Sequence, residues 1–211
     1  MAGNIKILES TDSPINGPVV VEELGSSRKL TVNGIVQSGN VVEKVWKEPL
    51  QHIKSLLPDA GNCLILGLGA GSIVKGVKDN WSRIKITGVE VDPVIVGLGQ
   101  KYFGLNDLNI KIVIDDALIF TINEINNKHK YDLILFDVFI GNRIPVVYGK
   151  EAYIKLIKKI LNKDGVIAFN RIIAGDYADD TKEFHEILKK HFKKIVPVFG
   201  SANVVFACSN S

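Results

Sequence analysis

Residues 64–71 read LILGLGAG, an apolar run that leads into three glycines, Gly67, Gly69 and Gly71. A short continuous apolar run is typical of a parallel strand that is buried on both faces. The next stretch, SIVKGVKDN, has helical spacing and begins with a serine, a residue that often caps helices. The sequence therefore predicts a glycine-rich turn between a strand and a helix, where a nucleotide can approach the backbone closely.

The chain from Asn62 onward alternates short apolar runs with helical patterns, which predicts a parallel sheet covered by helices on both faces. The predicted strands are NCLILGL, IKITGVEV, IKIVID, YDLILFDV and GVIAFNR. The predicted helices are SIVKGVKDN, PVIVGLGQKYF, ALIFTINEINN, EAYIKLIKKILNK and a helix around TKEFHEILKKHF. The last two apolar runs, KKIVPVF and ANVVFACS, are separated by Gly-Ser and predict an antiparallel hairpin at the sheet edge.

The first part of the chain has a different character. VVVEEL and RKLTVNGIVQ alternate in the manner of strands, with LGSS and Asn33-Gly34 as turns. A helix over VEKVWKEPLQHIKSLL follows, and we expect a break in or near it at Pro49. We therefore divide the chain into a β-structured N-terminal region with a linker at residues 1–50 and an α/β domain at residues 51–211.

Composition excludes several classes of protein. With 211 residues and 46% hydrophobic content the chain can bury a full core, and a net charge of +3 gives no reason to expect a nucleic-acid partner. Cys63 and Cys208 lie in apolar runs, which favours buried free thiols and a reducing compartment. Without an apolar stretch suited to a signal peptide or a membrane span, we expect a cytoplasmic protein without a membrane partner.

Acidic residues end three of the predicted strands. Glu90 follows the glycine turn by about 20 residues, the position from which a carboxylate accepts hydrogen bonds from ribose hydroxyls. Asp116, in the stretch Asp115-Asp116-Ala117, could accept a hydrogen bond from an adenine amino group, and Asp137 ends the fourth strand.

The charge of these strand ends limits the classes of ligand that the site can bind. Ser72 stands where a dinucleotide fingerprint would want its third glycine, which disfavours NAD. Three carboxylates would repel a phosphate-rich ligand, but they suit an adenosine that carries a positive sulfonium. The predicted ligand is S-adenosylmethionine or its decarboxylated form.

These motifs carry a family resemblance. LILGLGAG, GVEVDP, IDDA and YDLILFDV resemble the successive motifs of the class I methyltransferase fold, and LTVNGIVQSGNVVEKVWKEPLQHIKSLLP resembles the spermidine synthase family. The positions that match the family's front motif are Gln37, Trp46, Glu48 and His52; those that match its later P-x-x-L-[FY]-x-x-E-[FY] pattern are Pro145, Tyr148, Glu151 and Tyr153. The resemblance implies a Rossmann-like α/β fold whose mostly parallel seven-stranded sheet has an antiparallel last strand, with a small N-terminal β-hairpin region.

The resemblance also implies roles for residues. Gln37 would contact the amino acid or aminopropyl end of the donor, and the turn from Gly67 to Gly71 would pass beneath its sulfonium and ribose. Glu90 would hold the ribose. Asp116 would hold the adenine, with Ala117 beside it. Asp137 would orient an attacking amine and accept its proton.

The chain departs from the family at the acceptor site. Residues 137–141 read DVFIG where spermidine synthases usually read D-S-S-D-P, so Ile140 replaces the aspartate that grips the far ammonium of putrescine. Trp46 replaces a tyrosine, and Trp46, Ile140 and Tyr148 would line a drier acceptor pocket, although the ring of Trp46 could still hold one cation. Putrescine is therefore not the expected acceptor, unless the acidic loop at Asp176, Asp179 and Asp180 supplies the missing carboxylates.

Three functions stay open at this point. The first is transfer of an aminopropyl or other alkyl group from the sulfonium to an amine, the second is methyl transfer to a small acceptor, and the third is ligand binding without catalysis. The four histidines lack metal-ligand spacing, so no metal is expected. The sequence does not specify the oligomeric state, and a homodimer is compatible with it.

Overall fold

Two β-sheets and six α-helices form the fold in the computed structural model, which describes residues 5–141, 143–175 and 177–210. The smaller sheet is antiparallel, in the order β1-β2-β3-β4. Its strands are β1 (Lys6–Ser13), β2 (Gly17–Leu24), β3 (Ser27–Val32) and β4 (Ile35–Gly39). The sequence predicted the last three but not β1, whose residues are mostly polar and only partly buried, so that they carry little hydrophobic signal.

The larger sheet has seven strands in the order β10-β11-β9-β8-β5-β6-β7. They are β5 (Asn62–Leu66), β6 (Lys85–Glu90), β7 (Lys111–Ile114), β8 (Tyr131–Phe136), β9 (Leu161–Ile172), β10 (Lys194–Phe199) and β11 (Asn203–Ser209). Strand pairs are parallel except the two that β11 makes with β9 and β10. This confirms the predicted mostly parallel sheet with an antiparallel last strand and a hairpin at its edge.

Helices cover both faces of this sheet. They are α1 (Asn40–Leu56), α2 (Ser72–Asn80), α3 (Pro93–Tyr102), α4 (Ala117–Asn126), α5 (Glu151–Ile157) and α6 (Tyr177–His191). Helix α2 has the predicted bounds, but α5 was predicted to reach Lys163 and ends earlier. A short 3-10 turn follows it, and Leu161 then pairs with Tyr131 of β8, so strand pairing overrides helical periodicity there.

Helix α1 continues through Pro49, so the predicted break is wrong. Proline removes one backbone hydrogen bond, but Trp46, Leu50 and Ile53 bury the inner face of α1 in the core between α2 and the larger sheet. That burial keeps the helix intact. Helix α1 runs across the predicted domain boundary at residue 50. The division of the chain into residues 1–50 and 51–211 stays a prediction.

The smaller sheet packs on helix α3. Val19, Val21, Leu30 and Val32 are fully buried in a cluster that includes Leu98. This packing places the end of β4 beside the glycine turn, because the Ser38 hydroxyl accepts a hydrogen bond from Ala70 N at 2.9 Å. The two sheets therefore meet at the carboxyl edge of the larger one.

Both cysteines are buried, Cys63 on β5 and Cys208 on β11, and loss of hydration raises the pKa of each thiol. The predicted buried free thiols are confirmed. Over the described ranges, no helix combines the length and the apolar character that a bilayer crossing requires.

Candidate active site

A cavity opens at the carboxyl ends of β5, β6, β7 and β8, under the edge of the smaller sheet. The predicted site residues that line it are Gln37, Gly67, Gly69, Glu90, Asp116, Ala117, Asp137, Ile140 and Tyr148. Trp46 and Gly71 are not on its wall. The structure thus brings residues from six separate stretches of the chain to one place.

The glycines allow the turn after β5 to lie against its neighbours. Gly67 has φ 85°, and a Cβ there would lie 2.3 Å from the carbonyl oxygen of Asp137. At Gly69 a Cβ would lie 2.9 Å from the Ser38 hydroxyl. Gly71 instead packs against Leu105, where a Cβ would be 2.7 Å from the side chain. Gly71 therefore has a packing role, and its contact with a ligand stays a prediction.

Glu90 holds the glycine turn while it faces the cavity. Its Oε2 accepts a hydrogen bond from Gly69 N at 2.9 Å, and its Oε1 accepts one from Asp92 N at 3.1 Å. The side chain is buried, and desolvation raises its pKa, an effect that these backbone hydrogen bonds partly offset. Glu90 also lines the cavity, where a carboxylate can accept further hydrogen bonds.

Asp116 caps helix α4. Its Oδ1 accepts hydrogen bonds from Leu118 N at 2.8 Å and Ile119 N at 3.2 Å, and its Oδ2 accepts one from the Tyr148 hydroxyl at 2.8 Å. Burial and then the hydrogen bond to Asp116 raise the pKa of Tyr148. Asp115 accepts a hydrogen bond from Asp116 N at 2.9 Å and also lines the cavity.

Asp137 lies at the end of β8 between two side-chain donors. Asn170 Nδ2 donates to its Oδ1 at 2.7 Å, and Trp46 Nε1 donates to its Oδ2 at 3.1 Å. Asn203 holds Asn170 in turn, because Asn203 Nδ2 donates a hydrogen bond to Asn170 Oδ1 at 2.8 Å. Burial raises the pKa of Asp137, and the hydrogen bonds from Asn170 and Trp46 act in the opposite direction. The carboxylate is thereby fixed in orientation while it faces the cavity.

Trp46 therefore has a different position from the one predicted. It is 1% exposed and lies behind Asp137, so its ring does not form the wall of the acceptor pocket. The contact between this ring and a cation stays a prediction. Trp46 acts on the cavity through Asp137.

The loop after β8 is attached to the smaller sheet. Gln37 Nε2 donates a hydrogen bond to the Gly141 carbonyl, and Gly141 N donates to Asn16 Oδ1 at 3.3 Å. Ile140, 41% exposed, pairs through its backbone with Arg143. Gln37 is therefore engaged with this loop as well as with the cavity.

Some cavity residues were not predicted, among them Asn16, Ser38 and Asp115. The doubled acid in IDDA could have indicated Asp115, whereas Asn16 and Ser38 reach the cavity only through packing of the smaller sheet. Asp179 and Asp180, which the sequence offered as a substitute clamp, do not line this cavity, and Asp176 lies outside the described residues.

No cluster of three or more potential His, Cys, Asp or Glu metal ligands occurs within residues 5–141, 143–175 and 177–210. The expectation that the protein uses no metal stays a prediction.

The strand order and the glycine turn define a Rossmann-like fold of the class I methyltransferase type, and solved structures share it. A spermidine synthase in complex with the transition-state analogue AdoDATO has 20% identity and a TM-score of 0.80, covering 98% of this chain and 74% of that one. Human methyltransferase-like protein 13 in complex with SAH has 23% identity and a TM-score of 0.68, covering 81% of this chain and 82% of that one.

Sequence comparison assigns the family. Residues 43–208 match the spermine/spermidine synthase domain, and the chain belongs to that family. The polyamine aminopropyltransferase of Saccharolobus islandicus (strain L.S.2.15 / Lassen #1) is 32% identical over 173 residues, which are 77% of this chain and 56% of that protein. The polyamine aminopropyltransferase of Buchnera aphidicola subsp. Schizaphis graminum is 26% identical over 201 residues, 90% of this chain and 68% of that protein. The chain covers only part of the curated relatives: in four of them it spans 68%, 57%, 32% and 52% of the relative's length.

Proposed function

We propose that this protein is a transferase that moves an aminopropyl group from the sulfonium of decarboxylated S-adenosylmethionine to an amine acceptor. The observation that carries the proposal is Asp137, a carboxylate oriented by Trp46 and Asn170 at the wall of the cavity. Membership of the spermine/spermidine synthase family supports it, as do relatives named polyamine aminopropyltransferases.

The donor is proposed to lie along the strand ends. Glu90, which lines the cavity, would accept hydrogen bonds from the ribose hydroxyls. Asp116 would accept from the adenine amino group beside Ala117, and the turn at Gly67 and Gly69 would pass beneath the ribose and sulfonium. The carboxylates that line the cavity favour a positively charged donor.

The chemistry needs an unprotonated amine in line with a carbon on sulfur. The amine nitrogen forms a bond to the aminopropyl carbon that is bonded to sulfur. The carbon–sulfur bond breaks, and its electron pair stays on sulfur, so that methylthioadenosine leaves. Asp137 would orient the amine and accept the proton that it releases. Most of the remaining rate enhancement would come from alignment of the three reacting atoms.

The acceptor pocket would not suit putrescine as it does in typical relatives. Ile140 offers no charge to a distant ammonium, and a cation buried without a partner is strongly disfavoured. Ile140 and Tyr148 would instead form an apolar part of the pocket beside Asp137.

Methyl transfer from S-adenosylmethionine to a small acceptor is the second candidate. The uncharged loop at Ile140 favours it, because a methyltransferase has no need of a diamine clamp. In both cases the nucleoside product identifies the reaction, and a protein that only binds the donor would form neither product.

The test is to incubate the protein with each sulfonium compound and a panel of amines, and then to identify the nucleoside product. Methylthioadenosine supports aminopropyl transfer, whereas S-adenosylhomocysteine selects methyl transfer. Tight donor binding without either product would contradict both. The variant Asp137→Asn serves as the matched control, since it removes the proposed base but keeps the side-chain volume.

A further inference from the structure

A second cavity, of about 300 Å³, lies at the carboxyl end of β9 and the first turn of α6. Its lining residues are Arg143, Ile144, Val146, Arg171, Ile172, Tyr177, Asp180 and Thr181. The segment from Arg143 to Val147 separates it from the first cavity, because Pro145 and Val147 face that cavity instead. The two cavities therefore share one wall, and a ligand that reaches both has to pass around the edge of this segment.

Arg171 is the unusual residue of this second cavity. Its side chain is buried, with 8% of the residue exposed, and its Nε has no hydrogen-bond partner among the described residues. The guanidinium lies 4.4 Å from the ring centre of Phe184, which covers one of its faces. Buried donors are normally satisfied, so an unpaired one at a cavity wall indicates a missing acceptor.

The charges around Arg171 also favour an anion. Burial lowers the pKa of Arg171 to about 10, while the negative charge of Asp180 acts in the opposite direction, and the side chain is still cationic at neutral pH. Arg143 adds a second cation, and Asp180 is the one carboxylate among the described lining residues. Thr181 donates its hydroxyl hydrogen to the Ile172 carbonyl at 2.6 Å, and its oxygen is not a hydrogen-bond partner of Arg171 Nε. Among the described lining residues, the excess charge is therefore positive.

We propose that this cavity binds the oxyanion of a small ligand, a carboxylate or a phosphate, through the guanidinium groups of Arg171 and Arg143. The planar fork of a guanidinium matches both anions with two parallel hydrogen bonds. The oxyanion belongs either to a free anion or to the acceptor itself. The second source rests on the proposed function, and it makes the acceptor an amine that carries a carboxylate instead of a diamine.

The loss of the acidic clamp and the presence of Arg171 are consistent with the same acceptor. An uncharged Ile140 no longer attracts a second ammonium, and two arginines on the other side of the shared wall repel one. A carboxylate at that end of the acceptor reverses the sign of the interaction. The protein would thus discriminate against diamines in two ways: the arginines repel the second ammonium, and no carboxylate at position 140 attracts it.

The test compares ligands of matched length. 5-Aminopentanoate and putrescine have the same methylene spacer, but the first ends in a carboxylate where the second ends in an ammonium. We expect calorimetry to show that inorganic phosphate binds the protein and that Arg171→Gln weakens this binding by about tenfold or more, since hydrogen bonds to charged groups are lost. Arg83→Gln, at an exposed arginine away from the cavity, should leave it unchanged.

Each outcome of this test decides a point. Competition with phosphate by 5-aminopentanoate but not by pentanoate or putrescine assigns the oxyanion to an amine acceptor, whereas equal competition by pentanoate, or binding of phosphate alone, assigns it to a free anion. If neither phosphate nor 5-aminopentanoate binds the wild-type protein, or if Arg171→Gln binds them as well as wild type, the proposal is wrong.

Two features keep the test independent of folding and of catalysis. Arg143 is exposed, so Arg143→Gln should fold normally and still weaken binding if thermal melting shows that Arg171→Gln does not fold. Calorimetry needs no turnover, so formation of methylthioadenosine with any amine tests the proposed function separately.

Discussion

Trp46 Nε1, on helix α1, donates a hydrogen bond to Asp137 Oδ2 at the end of strand β8, over 3.1 Å. The two residues are 91 positions apart in sequence, so the contact exists only because α1 packs against the larger sheet. An N–H donor stabilises the ionised form of a carboxylate, which is the form that a base requires. A buried tryptophan that is not on the cavity wall thereby favours the charged form of a carboxylate that is.

The first prediction tests this contact through pH. Asp137 must be ionised to accept a proton, so turnover should rise as pH increases through its pKa, which burial already raises. Trp46→Phe removes a hydrogen bond that lowers this pKa, and the acid limb of the pH–rate profile should move to higher pH. The measurement is kcat against pH. Trp81→Phe is the matched control, because the indole of Trp81 is also buried but donates to the Leu57 carbonyl at 3.0 Å; an equal shift in that variant would contradict the assignment.

The second prediction separates binding from chemistry. Asp137→Asn should keep donor affinity, since the proposed adenosine contacts lie on other strand ends, while turnover falls by about 10²-fold or more through loss of the base. Calorimetry and initial rates measure the two effects. The exposed Asp164 gives the control variant Asp164→Asn, which should change neither. Intact turnover in Asp137→Asn would remove Asp137 from the reacting centre.

The third prediction concerns the donor site. Glu90→Ala should weaken binding of an adenosyl ligand by about 1.5–3 kcal/mol, the usual contribution of hydrogen bonds to a charged group. Glu90→Gln should melt at a higher temperature than Glu90→Ala, because an amide oxygen can still accept from Gly69 N. Glu183→Ala, at an exposed position on α6, is the control. Unchanged affinity in Glu90→Ala would exclude Glu90 from the ligand site.

The fourth prediction restores the charge that the loop lacks. Ile140→Asp should increase turnover of putrescine by about tenfold or more, because a second carboxylate near Asp137 attracts a dication in a partly dry pocket. Ile140→Asn has nearly the same size without the charge and should show no gain. Ile140 is well exposed, so neither change should affect folding. Efficient use of putrescine by the wild-type protein would show that the acceptor site was wrongly assigned.

Local patterns were enough to predict the larger sheet and most of its helices. Helix α2 has the predicted bounds because its start at Ser72 and its buried face at Ile73, Val74 and Val77 are coded within a few residues. Strand β1 and the continuous helix α1 were not predicted. The first is mostly polar, and the second depends on burial that compensates for Pro49.

The candidate site was predictable where a motif carries the chemistry. Gly67, Glu90, Asp116 and Asp137 follow strands, and parallel strands bring such ends to one edge of a sheet. The positions of Trp46, Asn170 and Ser38 could not be derived in this way.

Those three residues reach the site through long-range packing, for which a single sequence gives no register. The role of Trp46 shows the limit most clearly. The sequence showed that Trp46 aligns with a family motif, but it did not show which way the side chain points.

The two buried cysteines give the protein an internal reporter of its own stability. Cys63 and Cys208 lie on β5 and β11, on opposite sides of β8 and β9, and a buried thiol with a raised pKa hardly reacts with disulfide reagents. Labelling must therefore wait for the sheet to open, so its rate under native conditions measures how often the core becomes accessible. A ligand that binds only the folded state should slow both reactions together, which allows ligands to be screened by mass spectrometry on the unmodified chain.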